Sequence, residues 1–191
     1  MSYVPFFERF GELGWKETRS ATVFENNPYG LPADEYGLLE AYCDDENCDC
    51  RRVFLNVMSR KHDEVIAVVT YGWETEAFYR KWFGGSDTEY SRMAVKEMTG
   101  LGLNLGSHQS KFAPAALKLV KELLKDPNYA ARIKRHYKMF KKTVDGKSIQ
   151  VSVLDEKPAT PELPTIPIDA VPPKSMTPKS RKRHRSRNTG N

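Results

Sequence analysis

The sequence predicts an α+β protein: a small antiparallel β-meander packed by C-terminal helices and followed by a disordered, Pro-rich basic tail. Three observations carry this. Three β-branched, apolar runs crowd the first half, helical spacing takes over after Trp73, and seven of the twelve prolines fall after Lys157. The length, 191 residues, suits one domain, drawn here as 1–154, with 155–191 as linker and tail.

The elements follow in order. Phe6, Phe7, Phe10 and Leu13 recur at helical spacing over 5–13, and Gly11 and Gly14 keep that helix short. Residues 16–24 carry Thr18, Thr22 and Val23 and read as extended, closed by Asn26-Asn27-Pro28-Tyr29-Gly30. Strands are expected over 36–43, 52–59 and 64–71. The connection Arg60-Lys61-His62-Asp63 is too short for a parallel crossover, so the second and third must form an antiparallel hairpin. Helices follow over 74–83, stopped by Gly84-Gly85, and 87–98, stopped by Gly100. The glycine-containing stretch 101–107 reads as a loop. Ser110 is positioned to cap a helix with the stripe Leu117, Val120 and Leu124. Asp126-Pro127 opens the last helix, which should bury Tyr129, Ile133, Tyr137 and Phe140 and spread Arg132, Arg135, Lys138, Lys141 and Lys142 around the rest. Residues 148–154 could add an edge strand.

Charge separates the two parts. The formal charge is +5; residues 155–191 hold eight cations against four anions, leaving +4 there and +1 for the body. The tail interleaves proline with Ser, Thr and Lys, which excludes a persistent helix or central strand. It ends in a basic tract whose cations are Lys179, Arg181, Lys182, Arg183, Arg185 and Arg187. Such a tract neutralises phosphates and releases counterions, so sequence-independent, salt-sensitive association with DNA or RNA is expected. A solubilising end or a tract read by a protein receptor accounts for the same residues. No run approaches the ~18 apolar residues of a membrane span. The N-terminal residues lack a basic segment followed by an apolar one, so the chain is expected in the cytoplasm, off the membrane.

The most specific feature is the cysteine cluster. Cys43, Cys48 and Cys50 lie within eight residues, C-x4-C-x-C, and no other cysteine occurs. Thiolates suit a tetrahedral Zn²⁺, and an odd cysteine count argues against a disulfide framework. Asp44, Asp45, Glu46 and Asp49 attract a cation yet disfavour bare thiolates, with Arg51 and Arg52 compensating in part. The same residues also suit three reduced thiols in an acidic turn. A closed site needs a fourth ligand. His62 falls at the far end of the hairpin, which leaves His108, His136, a local carboxylate or water. His108, in a glycine-flanked stretch able to reach back, is the preferred one, whereas His136 fits better as a packed side chain.

The segments Lys16-Glu17-Thr18-Arg19, Glu40-Ala41-Tyr42-Cys43 with Cys48-Asp49-Cys50-Arg51-Arg52, Tyr71-Gly72-Trp73-Glu74, Gln109-Ser110 and Arg135-His136-Tyr137 resemble a family of small uncharacterised bacterial proteins sharing Tyr-Cys-x4-Cys-Asp-Cys-Arg-Arg. The likeness spans most of 1–142 and implies a compact bacterial, cytoplasmic unit; it implies no catalytic residue.

Three functions follow as expectations. The first is a zinc-binding protein that associates with nucleic acid through its tail. The second is a metal-dependent hydrolase with water in the fourth position and Glu40, Asp49 or Glu17 as proton acceptor. The third is a metal-free protein-interaction module. The nucleotide-loop, G-x-S-x-G and H-E-x-x-H patterns are absent from the sequence.

Overall fold

A computed structural model describes residues 2–146. They form an antiparallel sheet of six strands with five helices, in the order β1 (Tyr3–Pro5), α1 (Phe6–Lys16), β2 (Arg19–Val23), β3 (Asp34–Cys43), β4 (Arg52–Ser59), β5 (Glu64–Gly72), α2 (Glu76–Trp82), α3 (Glu89–Met98), β6 (Gly100–Leu103), α4 (Ala113–Leu123) and α5 (Pro127–Val144). The α+β class and the central meander are as the sequence predicts. The strands run β1-β3-β4-β5-β6, and β2 shares the outer edge of β3 with β1, pairing at the opposite end of that strand.

Two strands were not expected. β1 pairs Tyr3 with Cys43, and β6 forms within the stretch read as a loop, pairing Gly100 with Gly72 and Leu103 with Val69. Both are short and are held by partners far along the chain, so local pattern does not reveal them. The first helix runs past Leu13 to Lys16 and bends at Gly11, whose φ of 46° is open to a residue without Cβ. The bend lays Trp15 on Phe7, ring to ring at 4.2 Å. Ser110 lies outside the α4 N-terminus, where Phe112 occupies the cap and donates its N–H to Ser110 Oγ. The strand expected at 148–154 and the whole tail lie outside the described residues.

The core forms where the sheet meets its helices. Leu38, Tyr42, Val53, Leu55, Val57, Ala67 and Val69 are fully buried, along with Ile133 and Phe140 of α5. Burying such an aliphatic or aromatic side chain contributes ~1.5–3 kcal/mol, so the α5 face is a main source of cohesion. Tyr42 shows how the layers lock: its hydroxyl donates to Glu40 Oε2 at 2.6 Å and lies 2.9 Å from the Ile133 carbonyl. Among the described residues, no helix is long and apolar enough to cross a membrane.

Candidate metal centre

The strand order dictates where the cysteines meet. Cys43 is the last residue of β3, directly opposite Tyr3, and the Asp44 N–H continues the pairing to the Ser2 carbonyl. The chain must then reverse within eight residues to enter β4 at Arg52. It does so with Asn47 and Arg51 in the left-handed region, at φ 57° and 42°. Non-glycine residues there are held by their surroundings. Tyr79 donates to the Arg51 carbonyl at 2.7 Å, and the Arg51 N–H donates to the Tyr137 hydroxyl at 3.3 Å.

One face of α5 grips the rest of this loop. Tyr137, Lys141 and Asp145 recur every four residues, one above another along the helix. Tyr137 donates to Asp49 Oδ1 at 3.1 Å, Lys141 Nζ donates to the Asp45 carbonyl at 2.6 Å, and the Asn47 N–H donates to Asp145 Oδ1 at 3.0 Å. Lys141, expected on the solvated side, is 8% exposed because its ammonium caps the loop carbonyl and pairs with Asp145. Sequence reading missed this triplet, whose i, i+4, i+8 spacing was its one available signal.

Held this way, the three Sγ atoms lie within 4.8 Å of one another. Sulfurs on one tetrahedral Zn²⁺, each at ~2.3 Å, stand ~3.8 Å apart, so a small contraction completes three corners of the coordination sphere. Cys43 and Cys50 are fully buried, Cys48 is half-buried, and all three are free thiols. The three cysteines can therefore hold a metal ion.

Their protonation follows from the contacts. A hydrogen bond from Cys50 brings the Cys43 thiol down to about 6, against the opposing effect of burial. The same bond, with burial, pushes the Cys50 thiol well up; burial and the neighbouring Cys43 charge raise Cys48. One thiolate is thus supported by two thiols, and releasing the other two protons calls for a cation in their midst. Tyr3 Oη is 3.9 Å from Cys50 Sγ, and burial raises its phenol well above the usual range.

The structure does not bring His108 to this centre. Its neighbours Gln109 and Ser110 hydrogen-bond Val68 and Ile66, and its side chain is exposed. The cysteine loop enters β4 opposite Gly72, four residues further along β5 than Val68, or ~13 Å at strand rise. The glycine-flanked segment is tied down along β5 and has no reach back. His62 stays in the β4–β5 turn, as its sequence position requires.

His136 is buried, as expected, but its partners are not the cysteines. At 1% exposure it lies between two carboxylates, with Nδ1 2.7 Å from Glu40 Oε2 and Nε2 2.7 Å from Glu17 Oε2. Phe6 stacks on its ring at 4.1 Å, and Arg135 pairs with Glu17. The adjoining cavity, about 10 Å³, has room for one water at most. Glu17 and Glu40 are thereby committed to His136, and Asp49 to Arg51 and Tyr137. Glu40 Oε1, by contrast, is buried without a hydrogen-bond partner among the described residues.

Lys179, Arg181, Lys182, Arg183, Arg185 and Arg187 lie outside the described residues. Comparison with protein-family models, curated proteins and solved structures finds no match for this chain. The Tyr-Cys-x4-Cys-Asp-Cys-Arg-Arg resemblance therefore adds no family assignment, and function is read from the site itself.

Proposed function

We propose that this is a zinc-binding protein whose ion, held by Cys43, Cys48 and Cys50, staples the β3–β4 loop onto the sheet, and whose basic tail associates with nucleic acid. The observation that carries the zinc reading is the approach of three thiol sulfurs within 4.8 Å. Soft thiolates in a tetrahedral arrangement select Zn²⁺ over hard, oxygen-preferring cations. With His108 held away and His136 engaged elsewhere, the fourth position falls to a local carboxylate of the loop or to water. A structural role suits the two buried sulfurs and the partners that Glu17, Glu40 and Asp49 hold elsewhere. Three free thiols suit a reducing compartment such as the cytoplasm.

The test is a metal titration of the purified full chain. One Zn²⁺ per chain, lost when Cys43, Cys48 and Cys50 are changed together to Ser, is the expected result. A triple variant that melts at the same temperature as wild type would overturn the staple. For the tail, changing Lys179, Arg181, Lys182, Arg183, Arg185 and Arg187 to Gln should weaken salt-sensitive retention on nucleic acid. Unchanged retention would remove the tail from the account.

A further inference from the structure

Beside the cysteine loop, with Cys48 in the wall of its smaller lobe, runs a groove most of whose lining the zinc reading does not use. It has two lobes of about 460 and 340 Å³, which meet at Asp49, Tyr137 and Lys138. The larger is walled by the half-buried ring of Trp73, against which Tyr137 stands edge-on at 5.2 Å. Lysines 134, 138 and 142 line the two lobes between them and are exposed.

The acids of the groove are already engaged. Asp49 and Glu74 both pair with Arg51, and Asp145 pairs with Lys141. No ion pair engages Lys134, Lys138 or Lys142 among the described residues. Spaced four apart on α5, they form a stripe of free ammonium groups ~6 Å apart, ~12 Å from first to last. One phosphate cannot span that stripe; a chain of phosphates can. An aromatic face in the same groove adds what an unpaired base, but not a base within a duplex, can stack upon.

We propose that this groove binds single-stranded nucleic acid, with Lys134, Lys138 and Lys142 on successive phosphates and Trp73 under a base. The proposal shares the ligand class of the tail reading but stands on different residues, so the two can fail separately.

The test uses the full chain with the six cations of its terminal basic tract, Lys179 to Arg187, changed to Gln. In this background a labelled single-stranded oligonucleotide, as DNA and as RNA, should still bind and quench tryptophan fluorescence. Adding Lys134→Gln, Lys138→Gln and Lys142→Gln should weaken binding more than tenfold. It should also flatten the slope of log K against log salt by ~2, since each single-strand phosphate contact contributes ~0.7. Trp73→Phe should abolish the quench, assigning it to Trp73 rather than Trp15 or Trp82, and leave the melting temperature near wild type. A mononucleotide should compete poorly. Loss of all binding once the basic tract is neutralised would overturn the groove and leave the tail reading intact. Unchanged affinity in the lysine variant, or equal competition by polyglutamate or duplex DNA, would also overturn it. Whichever of DNA and RNA binds more tightly identifies the source of the strand.

Discussion

Tyr137→Phe removes one oxygen from the α5 grip and keeps the ring. That oxygen donates to Asp49 and accepts from the Arg51 N–H. The Asp49 side chain is 53% exposed, so water replaces most of the lost bond there. The Arg51 amide sits on a left-handed residue at the mouth of β4, between two buried residues, Cys50 and Arg52. Leaving such a donor without its acceptor costs ~1–3 kcal/mol. We expect a loss near the lower half of that range, ~1–2 kcal/mol, in urea unfolding of the metal-loaded protein. Because this bond orients the loop that presents Cys48 and Cys50, zinc affinity should fall about 10-fold or more, as for partners that orient metal ligands elsewhere. Competition with a chromophoric chelator reads that number directly. Lower stability with unaltered zinc affinity would show that Tyr137 supports the fold without organising the centre, refuting the coupling argued here.

Other consequences are equally specific. Burial raises the Asp34 carboxyl, but hydrogen bonds from Ser59 and the Glu35 and Lys61 amides outweigh it and hold the group below its ordinary value. A carboxyl depressed in the folded state stabilises above its unfolded value, ~3.9, and that stabilisation is lost as pH falls through the folded value. Asp34→Asn should therefore cost ~1 kcal/mol at neutral pH, with the gap from wild type closing in acid; a gap that is constant with pH contradicts this. His136→Leu removes one of the two partners of the buried Glu40 Oε2, leaving Tyr42 as the other, and should cost ~1–3 kcal/mol, with part recovered by adding Glu40→Gln. If the two changes are strictly additive in denaturant melts, the pair is not coupled as described. A Cβ on Gly72 would come within 1.9 Å of the Met98 carbonyl oxygen and 2.6 Å of the Tyr79 hydroxyl oxygen. Gly72→Ala should thus lower stability by more than ~2 kcal/mol and disturb the Tyr79 bond to Arg51, whereas an unshifted melting curve would show that this corner yields freely.

Much of the fold was legible because local chemistry and final structure agree. The runs 36–43, 52–59 and 64–71 are strands because their β-branched and apolar residues are buried in the meander, and the four-residue turn at Arg60 leaves them one way to pair. Asp126-Pro127 caps α5 as written, its carboxylate accepting from the Asn128 amide at 3.0 Å. What escaped notice depends on residues distant in sequence. Tyr3-Val4-Pro5 becomes a strand only because the end of β3 lies beside it, and Gly100–Leu103 only because β5 has an open edge. Lys141 looks like any cation on an amphipathic helix until the Asp45 carbonyl appears above it. The convergence of the cysteines was legible from spacing alone, since eight residues that reverse a strand leave three sulfurs little room to separate. The direction taken by His108 was not, because a flexible-looking loop carries no sign of the strand edge that claims it.

The zinc content of the full-length protein, purified without added metal or chelator, tests the central claim most directly. One Zn²⁺ per chain, released as the three thiols become reactive to a thiol reagent, is the predicted result. A folded protein free of metal, with Cys43, Cys48 and Cys50 unable to take up Zn²⁺ on titration, would contradict it.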